Sequence, residues 1–138
     1  MDLLARREHS AKELRTKLLA REFDSDEIDA AIERLIDDGL LSDERFAEAF
    51  VASRVRKGQG PMRIRGELEQ RGVADGLIEA SLARVDVDWN DVARDVHDRK
   101  YGNARPADYR DRARRSRFLQ YRGFTGEQIR HALAADDD

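Results

Sequence analysis

Apolar residues recur along this chain at three- and four-residue steps and nowhere alternate with period two, so the pattern predicts helices and no sheet. Caps and glycines supply the punctuation. Ser10 with Glu13, Asp24 with Glu27 and Thr125 with Gln128 have capping-box spacing, in which the first side chain accepts an amide of the first turn and the second reaches back to its N–H. Gly39, Gly72, Gly102 and Gly123 each close a helical run, where a left-handed residue satisfies the last carbonyls without a Cβ clash. Pro61 and Pro106 stand where new helices would begin. The reading is eight main helices, over 10–22, 25–38, 43–57, 61–71, 75–86, 88–101, 106–122 and 126–135, after a short turn at 2–8.

The chain also repeats itself. Leu14, Leu18, Phe23, Ile28 and Ile32 recur fifty residues later as Ile64, Leu68, Val73, Ile78 and Leu82, and the last four recur again as Leu119, Phe124, Ile129 and Leu133. Arg21-Glu22-Phe23, Arg71-Gly72-Val73 and Arg122-Gly123-Phe124 align at the turn between helices, while the first position of the third repeat is Arg115, which is not apolar. Each unit is small enough to be only marginally stable alone, so neighbours must support one another. The expectation is an all-α fold of tandem three-helix-bundle repeats forming an elongated, curved rod. Its parts are a lead-in turn or helix at 1–9, repeat 1 at 10–58, repeat 2 at 59–102 and an incomplete repeat 3 at 103–138 with an acidic tail.

Composition narrows the function. A chain of 138 residues is too short for a barrel enzyme or two dinucleotide-binding halves. Charged residues make up 40%, against about 25% in ordinary proteins, which suits a shape rich in surface. The absence of cysteine excludes disulfides, thiolate metal sites and thiol nucleophiles. No long apolar run or signal-peptide pattern is present, which predicts a cytoplasmic protein with no membrane role. The net charge of −3 hides segregation: residues 24–48 hold ten acids and two bases, and residues 99–122 hold nine bases and two acids. Such polarity points to oriented contact with a charged partner.

The inventory of chemistry is thin. His9, His97 and His131 lack metal-ligand spacing, and Asp37-Asp38 and Asp43-Glu44 flank a glycine stop and open a helix, where acids serve capping. Lys57-Gly58-Gln59-Gly60-Pro61 resembles a phosphate loop but lacks the Gly-Lys-Ser/Thr ending, and its proline removes an amide, so it reads as a flexible interhelical turn. No enzyme activity, cofactor or metal is expected. What remains is arginine with interleaved aromatics. Arg54, Arg56, Lys57, Arg63 and Arg65 form one basic set; Arg110, Arg112, Arg114, Arg115 and Arg117, with Tyr101, Tyr109, Tyr121 and Phe118 nearby, form another. Arginine forks and amphipathic rings suit contact with phosphate or carboxylate. Phe118 reads as core.

Several runs resemble the RecX family of recombinase modulators. They are Leu4 to Ser10 with Glu13-Leu14, Asp43-Glu44-Arg45-Phe46-Ala47, and Arg54 through Lys57-Gly58-Gln59-Gly60-Pro61 to Arg63-Ile64 and Glu67-Leu68. Arg71-Gly72-Val73, Arg99-Lys100 and Phe118 to Phe124 continue the likeness over nearly the whole chain. Two departures are a short region before Arg7-Glu8-His9-Ser10, as from a clipped N-terminus, and a third repeat that stops before Asp136-Asp137-Asp138. The resemblance implies tandem three-helix repeats that bind the RecA filament on single-stranded DNA in its groove. It implies inhibition of recombinase, ATPase and co-protease activities by blocked extension or faster disassembly, with modulation of recombinational repair and the SOS response. Weak direct DNA binding is implied too, and a monomer is expected because no heptad run supports a coiled coil. The competing class is a helix-turn-helix nucleic-acid-binding protein, with Arg63 and Arg65 near a helix start to read a groove. A purely structural scaffold is the third.

Overall fold

The computed structural model describes residues 7–134. Among them are eight α-helices and no strand: α1 Ala11–Ala20, α2 Ser25–Asp37, α3 Asp43–Arg56, α4 Pro61–Gln70, α5 Asp75–Arg84, α6 Trp89–Tyr101, α7 Tyr109–Arg122 and α8 Gly126–Leu133. Most of the expected turn at 2–8, and the acidic tail, lie outside the described residues.

Two of the three expected capping boxes form. Ser10 accepts the Glu13 N–H while Glu13 accepts the Ser10 N–H, and Thr125 and Gln128 do the same. Asp24 does not: it precedes α2 without a side-chain bond to the helix, and Ser25 is already helical. The prolines divide likewise. Pro61 is the first residue of α4, but α7 begins at Tyr109 rather than at Pro106. Asp108 accepts the Asp111 N–H at 2.8 Å, and the Asp111 carboxylate reaches back to the Ala107 N–H at 3.0 Å. In a helix begun at Pro106 the Asp111 amide would donate to the Ala107 carbonyl; here Asp108 takes that amide and caps a helix that starts at Tyr109.

Packing divides the chain into two compact units, one made of the residues up to Val51 with Glu67–Arg84, the other of Ala52–Gly66 with Val85 onward. In the first, α1 packs on α2 around Leu14, Ile28, Ile32 and Leu41, with Leu18 and Leu35 half-buried beside them. Each such side chain contributes about 1.5–3 kcal/mol relative to exposure. The start of α1 rests on the turn after α4: Ser10 Oγ donates to the Arg71 carbonyl at 2.7 Å, and Arg71 Nε donates to Glu13 at 3.3 Å. A Cβ on Gly72 would lie 2.6 Å from Lys12 Cβ. His9 is buried here, and Lys17 Nζ, which can only donate, sits 3.0 Å from its Nε2. The ring proton is therefore on Nδ1, 3.1 Å from the Arg7 carbonyl. Burial first, then the Lys17 and Arg7 charges, hold the His9 pKa below its ordinary value.

In the second unit α6 packs on α7 and, more extensively, on α8, around Ala93, Leu119, Phe124, Ile129, Ala132 and Leu133. Counted from its hairpin, as in the repeat comparison, α6 closes the second repeat; in space it completes a three-helix bundle with α7 and α8. The turn at Lys57–Pro61 is not the flexible connection expected of it. Gln59, Gly60 and Pro61 are buried, and the Gly60 and Met62 amides donate to the Arg122 and Gly123 carbonyls at 2.8 and 2.9 Å.

These contacts obey the sequence repeat. Ser10 and Gly60 are equivalent positions, as are Arg71 and Arg122, so each unit docks the opening of one helix on the turn of a later repeat. Gly72 and Gly123 have φ of 80° and 101°, and their first-repeat counterpart Glu22 has φ 64°, the one non-glycine residue at positive φ among those described. Close approach excludes a Cβ at Gly72 and Gly123, where it would meet Lys12 and Arg63, whereas Glu22 is exposed and accommodates one. Phe23 is 51% exposed where Val73 and Phe124 are buried.

Candidate binding surface

All ten arginines and lysines singled out from the sequence fall in the second unit. Those on α7 separate by helical phase. Arg110, Arg114, Arg117 and Tyr121, spaced four, three and four apart, share one exposed face, and Arg112 is exposed on another. Arg110, Arg112 and Arg117 have no carboxylate partner among the described residues. Arg114 is steadier: it pairs with Asp111 at 2.5 Å and lies 5.4 Å from the Tyr101 ring centre.

Arg115 is not on the surface. It is 7% exposed and fills the core slot that Leu14 and Ile64 fill in the first two repeats. The site suits it because the donors are satisfied: Nη1 reaches the Ala104 carbonyl at 2.8 Å and His97 Nε2 at 3.1 Å, Nη2 reaches Asp111 at 3.0 Å, and the guanidinium stacks 4.8 Å from the Tyr101 ring centre. Arginine cannot accept, so His97 Nε2 does, leaving Nδ1–H to Asp98 at 2.8 Å. The Ala107 amide, Arg114 and Arg115 all donate to Asp111 and hold its carboxyl well below the usual carboxylate range. Arg115 therefore leaves the set of contact residues and joins the fold.

In the other set, Arg63 lies over the exposed Tyr121 ring at 5.5 Å, and Arg65 Nη1 donates to Met62 Sδ at 3.2 Å. Both are half-buried and touch side chains of this unit. Arg54 is half-buried. Arg56 and Lys57 are exposed and open onto a cavity of about 260 Å³ lined also by Gly58, Val96, Arg99, Lys100, Phe118 and Arg122. Sequence reading passed over Arg99, Lys100 and Arg122 as contact residues, while Phe118 does pack on the core of this unit as expected. A signal was present: Val96 with Lys100, and Phe118 with Arg122, are each four apart and so share a helix face. Phe118 is only half-buried; Lys100 Nζ lies 4.3 Å and Arg122 Cζ 5.5 Å from its ring centre.

Family models of RecX match this chain in three stretches: the first three-helix domain over residues 1–35, the second over 42–82 and the third over 86–133. The regulatory protein RecX of Halorhodospira halophila is 52% identical over 136 residues, covering 99% of this chain and 84% of its own length. That of Pseudomonas fluorescens strain Pf-5 is 48% identical, with 97% and 86% covered, and that of Ectopseudomonas mendocina is 47% identical, with 100% and 92% covered. The crystal structure of RecX from Lactobacillus salivarius has a TM-score of 0.78 at 23% identity, over 96% of this chain and 88% of that one, a likeness of fold.

Proposed function

The chain belongs to the RecX regulatory family, and on that premise we propose that it binds the RecA filament on single-stranded DNA and restrains it. Bound protein lowers ATP hydrolysis, strand exchange and co-protease activity, by blocking filament extension or hastening disassembly, and so modulates recombinational repair and the SOS response. It acts by binding alone, as a cytoplasmic monomer, without a cofactor.

The observation that carries this reading is the exposed face of α7. Arg110, Arg114, Arg117 and Tyr121 stand in line on a helix whose opposite side is anchored by Leu119 and Arg115. A row of guanidiniums ending in an aromatic suits the carboxylates of a protein surface or the phosphates of a nucleic acid. Repetition of the module adds to it, because several modest contacts on successive subunits of a polymer combine as avidity. Contacts partly with protein predict a shallower salt dependence for filament binding than for naked DNA, where phosphate dominates.

The test is to add saturating protein to preformed RecA filaments on single-stranded DNA while following ATP hydrolysis and filament length. Both should fall; if neither changes, the proposal is wrong.

A further inference from the structure

Several exposed cations of the first unit face carboxylates. Arg84 bonds Glu44 and Glu48, Arg15 pairs with Asp29, and Arg45 pairs with Glu8. The cavity beside Phe118 gathers cations differently. Among the described residues five cations line it, Arg56, Lys57, Arg99, Lys100 and Arg122, and no acid does. Arg99 reaches Asp95 only at 3.6 Å between two exposed side chains, and Arg56, Lys57 and Lys100 have no carboxylate partner among the described residues. Like charges gathered around one concavity repel, and a bound anion relieves the repulsion.

The cations are also held in place. Arg122 Nη1 donates to the Lys57 carbonyl at 3.1 Å, tying α7 to the turn after α3, and Phe118 carries Lys100 and Arg122 against its ring. Gly58 at that turn has φ 80°, and a Cβ there would lie 3.2 Å from Val96 on the cavity wall, so the turn closes tightly on α6. Phe118 itself packs on the core of this unit and meets the Tyr101 ring edge-on at 5.7 Å, so the surface on which the two cations rest is a fixed one.

We infer that this cavity is a phosphate-binding subsite, which takes the phosphate groups of a single-stranded nucleic acid or of a free polyphosphate through charge alone, without reading bases. The inference deepens the reading above for Arg56 and Lys57, which it turns toward phosphate rather than protein, and its test contains no recombinase.

The full chain is titrated against a fluorescent oligo-dT, an oligonucleotide of mixed sequence and length-matched to it, and inorganic triphosphate, at about 50 and 200 mM salt. The variant K57A/K100A is compared with R21A/R34A, which removes the same charge from exposed positions of the first unit, and helicity is checked for both. Expected is a roughly tenfold loss of oligonucleotide affinity in K57A/K100A alone, equal for both sequences, with the log–log salt slope shallower by about 1.4 for two lost phosphate contacts. If triphosphate binds with the same dependence on Lys57 and Lys100 and the oligonucleotides do not, the subsite stands and its source is free polyphosphate. Equal losses in the two variants, or no binding of any probe, would overturn it, whatever the chain does to RecA.

Discussion

Gly60 gives the sharpest structural prediction. A Cβ built on it lies 2.5 Å from the carbonyl carbon and oxygen of Gly123 and 2.6 Å from the Phe124 nitrogen, against 3.4–4 Å for an ordinary contact. All three atoms are backbone, so no rotamer change relieves the overlap. In Gly60→Ala the turn must retreat by about 1 Å, at the expense of the bonds from the Gly60 and Met62 amides to the Arg122 and Gly123 carbonyls. Two such bonds are worth about 1 kcal/mol each, and overpacking adds about 1–3 kcal/mol, for a net loss of about 3–5 kcal/mol. Gly66 is the control. It lies inside α4 with nothing within 4 Å of its Cβ direction, so Gly66→Ala should stabilise by about 0.5–1 kcal/mol. Urea unfolding followed by circular dichroism measures both, and hydrogen exchange at Gly60 and Met62 reports the lost bonds. If Gly60→Ala unfolds at the wild-type urea concentration, or follows Gly66→Ala, the docked turn is not a determinant of stability.

Glu22→Gly removes a side chain from a left-handed position with no packing contact to lose, and should raise stability by about 1 kcal/mol in the same unfolding assay. Arg115→Ala strands buried His97 Nε2 and takes one of the two guanidinium partners from the Asp111 carboxylate; a loss of about 3 kcal/mol is expected, only partly recovered by lysine, which lacks the fork. Equal stability for Arg115→Ala would return that residue to the surface set. The first unit should weaken in mild acid. His9 titrates lower when folded than when unfolded, so the unfolded chain binds the extra proton; stability is full above about pH 6.5 and falls as pH drops through the folded value. Urea midpoints from pH 8 to 5 should decline less steeply in His9→Gln, and identical slopes would refute the assignment.

Local rules carried most of the fold. Caps at Ser10 and Thr125 and the stops at Gly72 and Gly123 are decided within a few residues, so they were legible in sequence, and the fifty-residue period located the same turn three times. Failures came where a distant or competing group decides. Asp24 had the right spacing but no bond, and Pro106 lost the helix start to Asp108 and Asp111, a competition between carboxylates and ring geometry that spacing does not rank. Arg115 broke the apolar pattern because its partners, His97 and the Ala104 carbonyl, reach it through tertiary packing. The basic sets were visible as charge runs, but the cavity joins the end of α3, the turn at Gly58, α6 and α7. No single stretch of chain displays that convergence.

The most direct measurement is inhibition of RecA ATP hydrolysis on single-stranded DNA by wild-type protein and by R110A/R112A/R117A, titrated side by side with helicity confirmed. These three side chains are exposed and without carboxylate partners among the described residues, so their removal leaves the bundle standing. The account predicts that the triple variant requires at least tenfold more protein for half-inhibition. Inhibition at wild-type concentrations by a fully helical triple variant would contradict it.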